Sequence, residues 1–140
     1  VSEKSPDKIA QRYIAIIAWI AIVFGVLLAI GEVIRNIGDW QWWPFWVVDM
    51  ICSALLIAGG WYAQRPVPQQ RLSLLVGALG FCTAMGYASF FSHLANIDGP
   101  VEGNIAHLPL TITIGVLFAM AAICFATSVR LAMRLESARE

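Results

Sequence analysis

Residues 13–34 read YIAIIAWIAIVFGVLLAIGEVI, and Glu32 is the only charged side chain among them. The hydrocarbon core of a bilayer is about 30 Å thick, and a helix rises about 1.5 Å per residue, so about 20 apolar residues cross it. This stretch meets that length. Backbone N–H and C=O groups in lipid have no water to bond, so the segment is expected to be helical. Lys4, Lys8 and Arg12 precede it and give it the look of a secretory signal. The apolar run is longer than the roughly 7–15 residues of a cleavable signal core, and no small-x-small cleavage site follows. It reads as an uncleaved first membrane span.

Three further runs extend the pattern: 44–63, which contains Asp49; 72–94; and 107–133, with Arg130 in its last turns. The connections 35–43, 64–71 and 95–106 are short, and the last two carry Pro and Gly breakers. Short connections place successive helices side by side and antiparallel. The expected fold is all-α: one integral membrane four-helix bundle over residues 1–140, running up-down-up-down. Composition agrees, with 59% hydrophobic and 13% charged residues in a chain of 140. Soluble proteins carry about 25% charged residues, and one soluble core of this length cannot hide so much apolar surface. The net charge is zero, so nothing points to nucleic acid as a partner.

Orientation follows from the basic residues. Lys4, Lys8, Arg12, Arg65, Arg71, Arg130, Arg134 and Arg139 fall on one side of the four spans, and Arg35 alone on the other. Lys and Arg in short flanks mark the cytoplasmic side. Both termini are therefore expected inside, in a cell inner (plasma) membrane. Trp40, Trp42, Trp43 and Trp46 form an interfacial belt on the outer side, and Trp61 and Tyr62 mark the inner end of the second span.

The outer half also concentrates acid and histidine. Glu32, Asp49, His93 and His107 come one from each span, near its outer end. Each lies on a helical face of small or weakly polar residues: Ala18, Ala21, Gly25, Ala29 with Glu32; Ser53 and Gly60 with Asp49; Cys82, Gly86, Ser89 with His93; Thr111, Gly115, Ala122 with His107. Small faces pack helix on helix in lipid, and ionisable residues in a membrane turn toward the bundle interior. The four side chains are thus expected to point toward one axis. Two carboxylates and two imidazoles can bind a divalent metal such as zinc, iron or manganese. They can equally relay protons or admit a cation, or form structural ion pairs such as Glu32 with Arg35. Hydration at headgroup level is the plainest reading.

Other features carry less. Cys52, Cys82 and Cys124 fall in different spans with no C-x-x-C spacing, so they read as small apolar packing, and a disulfide-exchange site is not expected. Tyr87, Phe90, Phe91 and Leu94 form a bulky patch set apart from the small stripe of the third span. Gly80, Ala84 and Ala88 repeat every four residues, a spacing that marks a close helix contact or a dimer seam. No span contains Lys, and no nucleotide-binding loop or Ser-His-Asp pattern is present.

The arrangement resembles small four-helix subunits of bacterial transport systems, including the small membrane subunit of TRAP transporters. That family tends to place an Arg after the first span and then a Trp and an acid entering the second, where this chain has Arg35, Trp46 and Asp49. The resemblance implies an accessory or scaffold subunit of a membrane complex or transporter, in contact with the lipid bilayer and with other membrane subunits or its own copies. The alternative is a self-contained metal-, cation- or proton-binding protein with its site at the outer end.

Overall fold

The computed structural model describes residues 6–38, 43–65, 70–99 and 106–137. Lys4, Asp39, Trp40, Trp42, Glu102, Arg139 and the side chains of Arg71 and Glu136 lie outside what it describes. Four helices account for nearly all of the described chain: α1 (Pro6–Asn36), α2 (Trp43–Ala63), α3 (Gln70–Ala95) and α4 (His107–Ser137). Each contains a stretch long and apolar enough to cross a membrane. α1 begins about two turns before the apolar run and α4 continues a turn past it, because nothing in either flank breaks a helix.

The helix ends follow local chemistry. α1 stops where Gly38 takes φ +87°, a left-handed conformation that glycine reaches without Cβ strain. Pro44 and Pro109 sit in the first turns of α2 and α4, where a missing N–H costs no intrahelical bond. Beyond α2, Arg65 lies over the rings of Trp61 (5.9 Å) and Tyr62 (5.7 Å). Both aromatics are exposed. Such amphipathic groups suit a membrane–water boundary.

The outer surface is apolar. Ile123 is 68% exposed and Trp19 57%. The interior is narrow and built from small groups: Ala18, Ala21, Cys52, Ala78, Cys82 and Ala121 are buried alongside Leu56, Leu75 and Leu79. In lipid the surrounding solvent is as apolar as leucine, so close packing holds such helices together. α1 packs along α2, α2 along α3 and α3 along α4, while α1 and α4 barely touch. The bundle is therefore a row of helices bent round toward closure, with one seam left open.

Glycines set the close approaches. A Cβ on Gly60 would stand 2.5 Å from the Ala18 carbonyl oxygen, and one on Gly25 2.8 Å from that of Ser53. On the other side of α2, a Cβ on Gly59 would stand 3.0 Å from the Leu75 Cα. Phe125, Phe118 and Phe90 seat against Gly80, Gly86 and Gly115 and lock α3 to α4. This divides the bulky patch of the third span. Phe90 belongs to the α3–α4 contact, whereas Tyr87, Phe91 and Leu94 remain exposed. Gly80 meets Phe125 within the chain, while Ala84 and Ala88 of the same repeat face outward.

Gly60→Ala forces the α1 and α2 backbones apart. It is expected to destabilise the folded chain by about 1–3 kcal/mol, the usual cost of overpacking. Gly77 has open space where its Cβ would be, so Gly77→Ala is expected to leave the melting temperature unchanged or raise it. Thermal unfolding of both variants in one detergent checks the pair.

Candidate functional site

Glu32 and Arg35 lie one turn apart on α1, and their side chains are only 11% and 13% exposed. Arg35 Nη1 stands 3.7 Å from Glu32 Oε1. Asn36, almost fully buried, donates from Nδ2 to both the Glu32 carbonyl (2.8 Å) and Glu32 Oε2 (3.1 Å). The carboxylate is thus gripped on both oxygens by its own helix. Asp49 comes across from α2, lines the same cavity as Glu32 and Arg35, and lies within the electrostatic field of both.

α3 closes the cluster. His93 Nδ1 donates to the Ser89 carbonyl at 2.9 Å, which leaves Nε2 as an acceptor. Arg35 Nη2 lies 3.4 Å from that nitrogen. Arg35 thus joins a carboxylate on its own helix to an imidazole 58 residues away. The His93 and His107 ring centroids are 6.4 Å apart. The four residues singled out from the sequence therefore gather at one end of the bundle, but Arg35 stands in the middle of them. Among the described residues, no three His, Cys, Asp or Glu side chains are arranged to hold one metal ion.

Next to the cluster is a cavity of about 360 Å³, a size that holds a small organic molecule. Phe24, Leu28 and Leu117 supply apolar wall, and Glu32, Arg35 and Asp49 supply charge. All four helices line it, and α1 and α4, which barely touch each other, supply most of its wall. Cys52 from α2 and Cys82 from α3 line it too, both as buried, free thiols. All three cysteines are buried and free, as expected of small apolar packing, and the packing of α2 on α3 brings two of them to one cavity wall.

Sequence reasoning found Glu32 with Arg35 through their i,i+3 spacing. It missed Arg35 with His93, the Asn36 clasp and the shared cavity wall of Cys52 and Cys82. A usable signal for the last was present: Cys52 lies one turn from Asp49, and Cys82 shares a stripe with Ser89 and His93.

Compared with protein-family models, with curated proteins and with solved structures, the chain matches none of them.

Removing the cation should cost more than removing the whole pair. Arg35→Met leaves Glu32 and Asp49 facing each other in a low dielectric, and breaking a buried pair in this way costs about 3–5 kcal/mol. The double variant Glu32→Gln, Arg35→Met is expected to be more stable than Arg35→Met alone. Unfolding of the single and double variants measures the coupling.

Proposed function

We propose that this multi-pass membrane protein carries a proton-binding site at its outer end, built on Glu32, Asp49, Arg35 and His93. The observation that supports it is that two carboxyls, Glu32 on α1 and Asp49 on α2, share one cavity wall with the Arg35 guanidinium. Two carboxyl groups sharing one apolar site resist ionising together, which favours one proton on the pair. With that proton the carboxyls hold one negative charge, which Arg35 balances. Loss of the proton leaves an unbalanced charge in an apolar cavity, so proton occupancy is coupled to what the cavity holds. A divalent metal is the competing occupant and draws on the His93–His107 pair. It requires Arg35 to withdraw from His93 Nε2, because a guanidinium in that place repels a cation.

In this reading the bundle runs up-down-up-down with both termini cytoplasmic. Supporting it, the Gly60–Ala18 and Gly25–Ser53 contacts run in opposite chain directions on α1 and α2. Gly86–Phe118 and Phe90–Gly115 do the same on α3 and α4. Eight of the nine Lys and Arg then fall on one side. That side is the cytoplasm by the positive-inside rule, and the membrane is the inner membrane. The open α1–α4 seam favours a second role, as an accessory subunit whose partner lays a helix there.

Infrared spectroscopy of the protein in lipid is expected to show a protonated-carboxyl C=O band at neutral pH that disappears in Asp49→Asn or Glu32→Gln. An unchanged spectrum in both variants would falsify the proton site. Protein purified without chelator is expected to retain less than one metal per chain. Stoichiometric metal lost in His93→Ala selects the metal occupant instead. A fluorescent protein fused after residue 140 is expected to fluoresce, as it does only when folded in the cytoplasm.

A further inference from the structure

Cys52 on α2 and Cys82 on α3 are 1% and 4% exposed and line the same cavity. Their place on one wall follows from helix register. Gly59 lets α3 approach at Leu75. Seven residues back along α2 is Cys52, and seven forward along α3 is Cys82. Two helical turns return each chain to the same face, so the close approach at Gly59 is repeated at the thiols. Buried cysteines are ordinarily small apolar filler. Cys124 fits that description, being buried on α4 away from the cavity wall. Filler does not need a second thiol on the same wall, a cavity in front of it and a carboxyl one turn away.

We propose that Cys52 and Cys82 are a redox-active dithiol, oxidised to a disulfide by a lipid-soluble quinone bound in the cavity. The cavity is walled mostly by α1 and α4, which barely touch each other, so an oxidant reaches the thiols through the bilayer more readily than through water. Disulfide formation removes two electrons and two protons, and a quinone takes up both. The overall change is two thiols plus quinone giving one disulfide plus quinol. A thiolate adds to the quinone ring. The second thiolate attacks that sulfur and forms the S–S bond. The reduced ring then leaves with the electron pair and picks up the two protons the thiols gave up. Phe24 and Phe118 offer apolar wall for the ring, and the Ser89 hydroxyl and Arg35 guanidinium offer donors for its carbonyl oxygens.

Asp49 is the proton acceptor in this step: it lies one turn from Cys52 on α2 and lines the same cavity as both thiols. The groups that bear on it are Glu32 and Arg35 from α1, Cys52 on its own helix and Cys82 from α3. His93 acts through Arg35, and His107 from α4 through His93. The part given to Asp49 rests on the proton-site reading above, whereas the dithiol does not.

The test uses the full chain in lipid nanodiscs, reduced and then freed of reductant. Decylubiquinone is added anaerobically, and the protein is denatured in N-ethylmaleimide for intact-mass and peptide mapping. The expected result is a Cys52–Cys82 disulfide, one maleimide instead of three, and one quinol per disulfide. Cys124→Ser should react as the unmodified chain does, and Cys52→Ser or Cys82→Ser should reduce no quinone. Three labelled cysteines after quinone, or a disulfide made by diamide but not by quinone, overturns the proposal. Because the first arm needs no variant, misfolding of a cysteine mutant cannot obscure it. Asp49→Asn is expected to slow oxidation about a hundredfold, as loss of a proton acceptor does. An unaltered rate removes Asp49 from this step while leaving the dithiol, and the carboxyl band tests the proton site separately. A carboxyl band lost in Asp49→Asn with no quinone oxidation leaves the proton site and overturns the dithiol.

Discussion

Two adjacent glycines on α2 set the spacing of the whole bundle. Gly60 lies under the Ala18 carbonyl of α1, and Gly59 lies against the Leu75 backbone of α3. Neither position tolerates a side chain, so α2 is held at backbone distance from both neighbours. In lipid there is no hydrophobic drive to bring helices together, and such contacts supply the van der Waals energy that replaces it. They also fix register. Two turns along from Gly60 and Ala18 come Ser53 and Gly25, another backbone approach. Two turns along from Gly59 and Leu75 come the thiols. One turn beyond Cys52 is Asp49, which shares the cavity wall with Glu32. The site is thus the extension of a packing contact made on the other half of α2.

The four spans were legible because the cost of an unsatisfied backbone in lipid makes apolar length nearly sufficient evidence for a helix. Which residues share a face was also legible, because that depends only on the helical period. The stripe from Ala18 through Gly25 to Glu32 does turn to α2, and Asp49 does turn back to α1. How far each helix is rotated against its neighbour was not legible, because it depends on contacts far apart in the chain. Phe90 shows this. From sequence it belongs with Tyr87 and Phe91, yet a few tens of degrees of rotation put its ring on Gly115. Cys52 and Cys82 show it again, since no local spacing can announce a pair made by two helices. The weak contact between α1 and α4 is a further case, because short loops imply neighbours but do not say whether the ring closes.

Arg35 explains why two carboxyls tolerate the same apolar surroundings. A charge moved from water into a low dielectric loses solvation worth several kcal/mol, and a partner restores only part of it. The clasp on Glu32 is therefore elaborate: Asn36 on one oxygen, Arg35 on the other, and His93 behind Arg35. Each member holds the next in place, and His93 is itself anchored through Ser89. A structural ion pair would need only Glu32 and Arg35. Asp49 adds a carboxyl that pair has no use for, at a cost in desolvation. Packing alone gives no reason for it.

The thiols narrow the reason. Asp49 stands between the Glu32–Arg35 pair and Cys52, within electrostatic range of the charged groups on one side and of both sulfurs on the other. A carboxyl in that place can pass a proton in either direction, and every group it would exchange with borders one cavity. Charge balance then couples the two halves. A thiol that surrenders its proton to the carboxyl pair leaves a thiolate in the cavity, and Arg35 on the same cavity wall can offset its charge. The ion cluster and the sulfur pair therefore make more sense as parts of one site than as separate features.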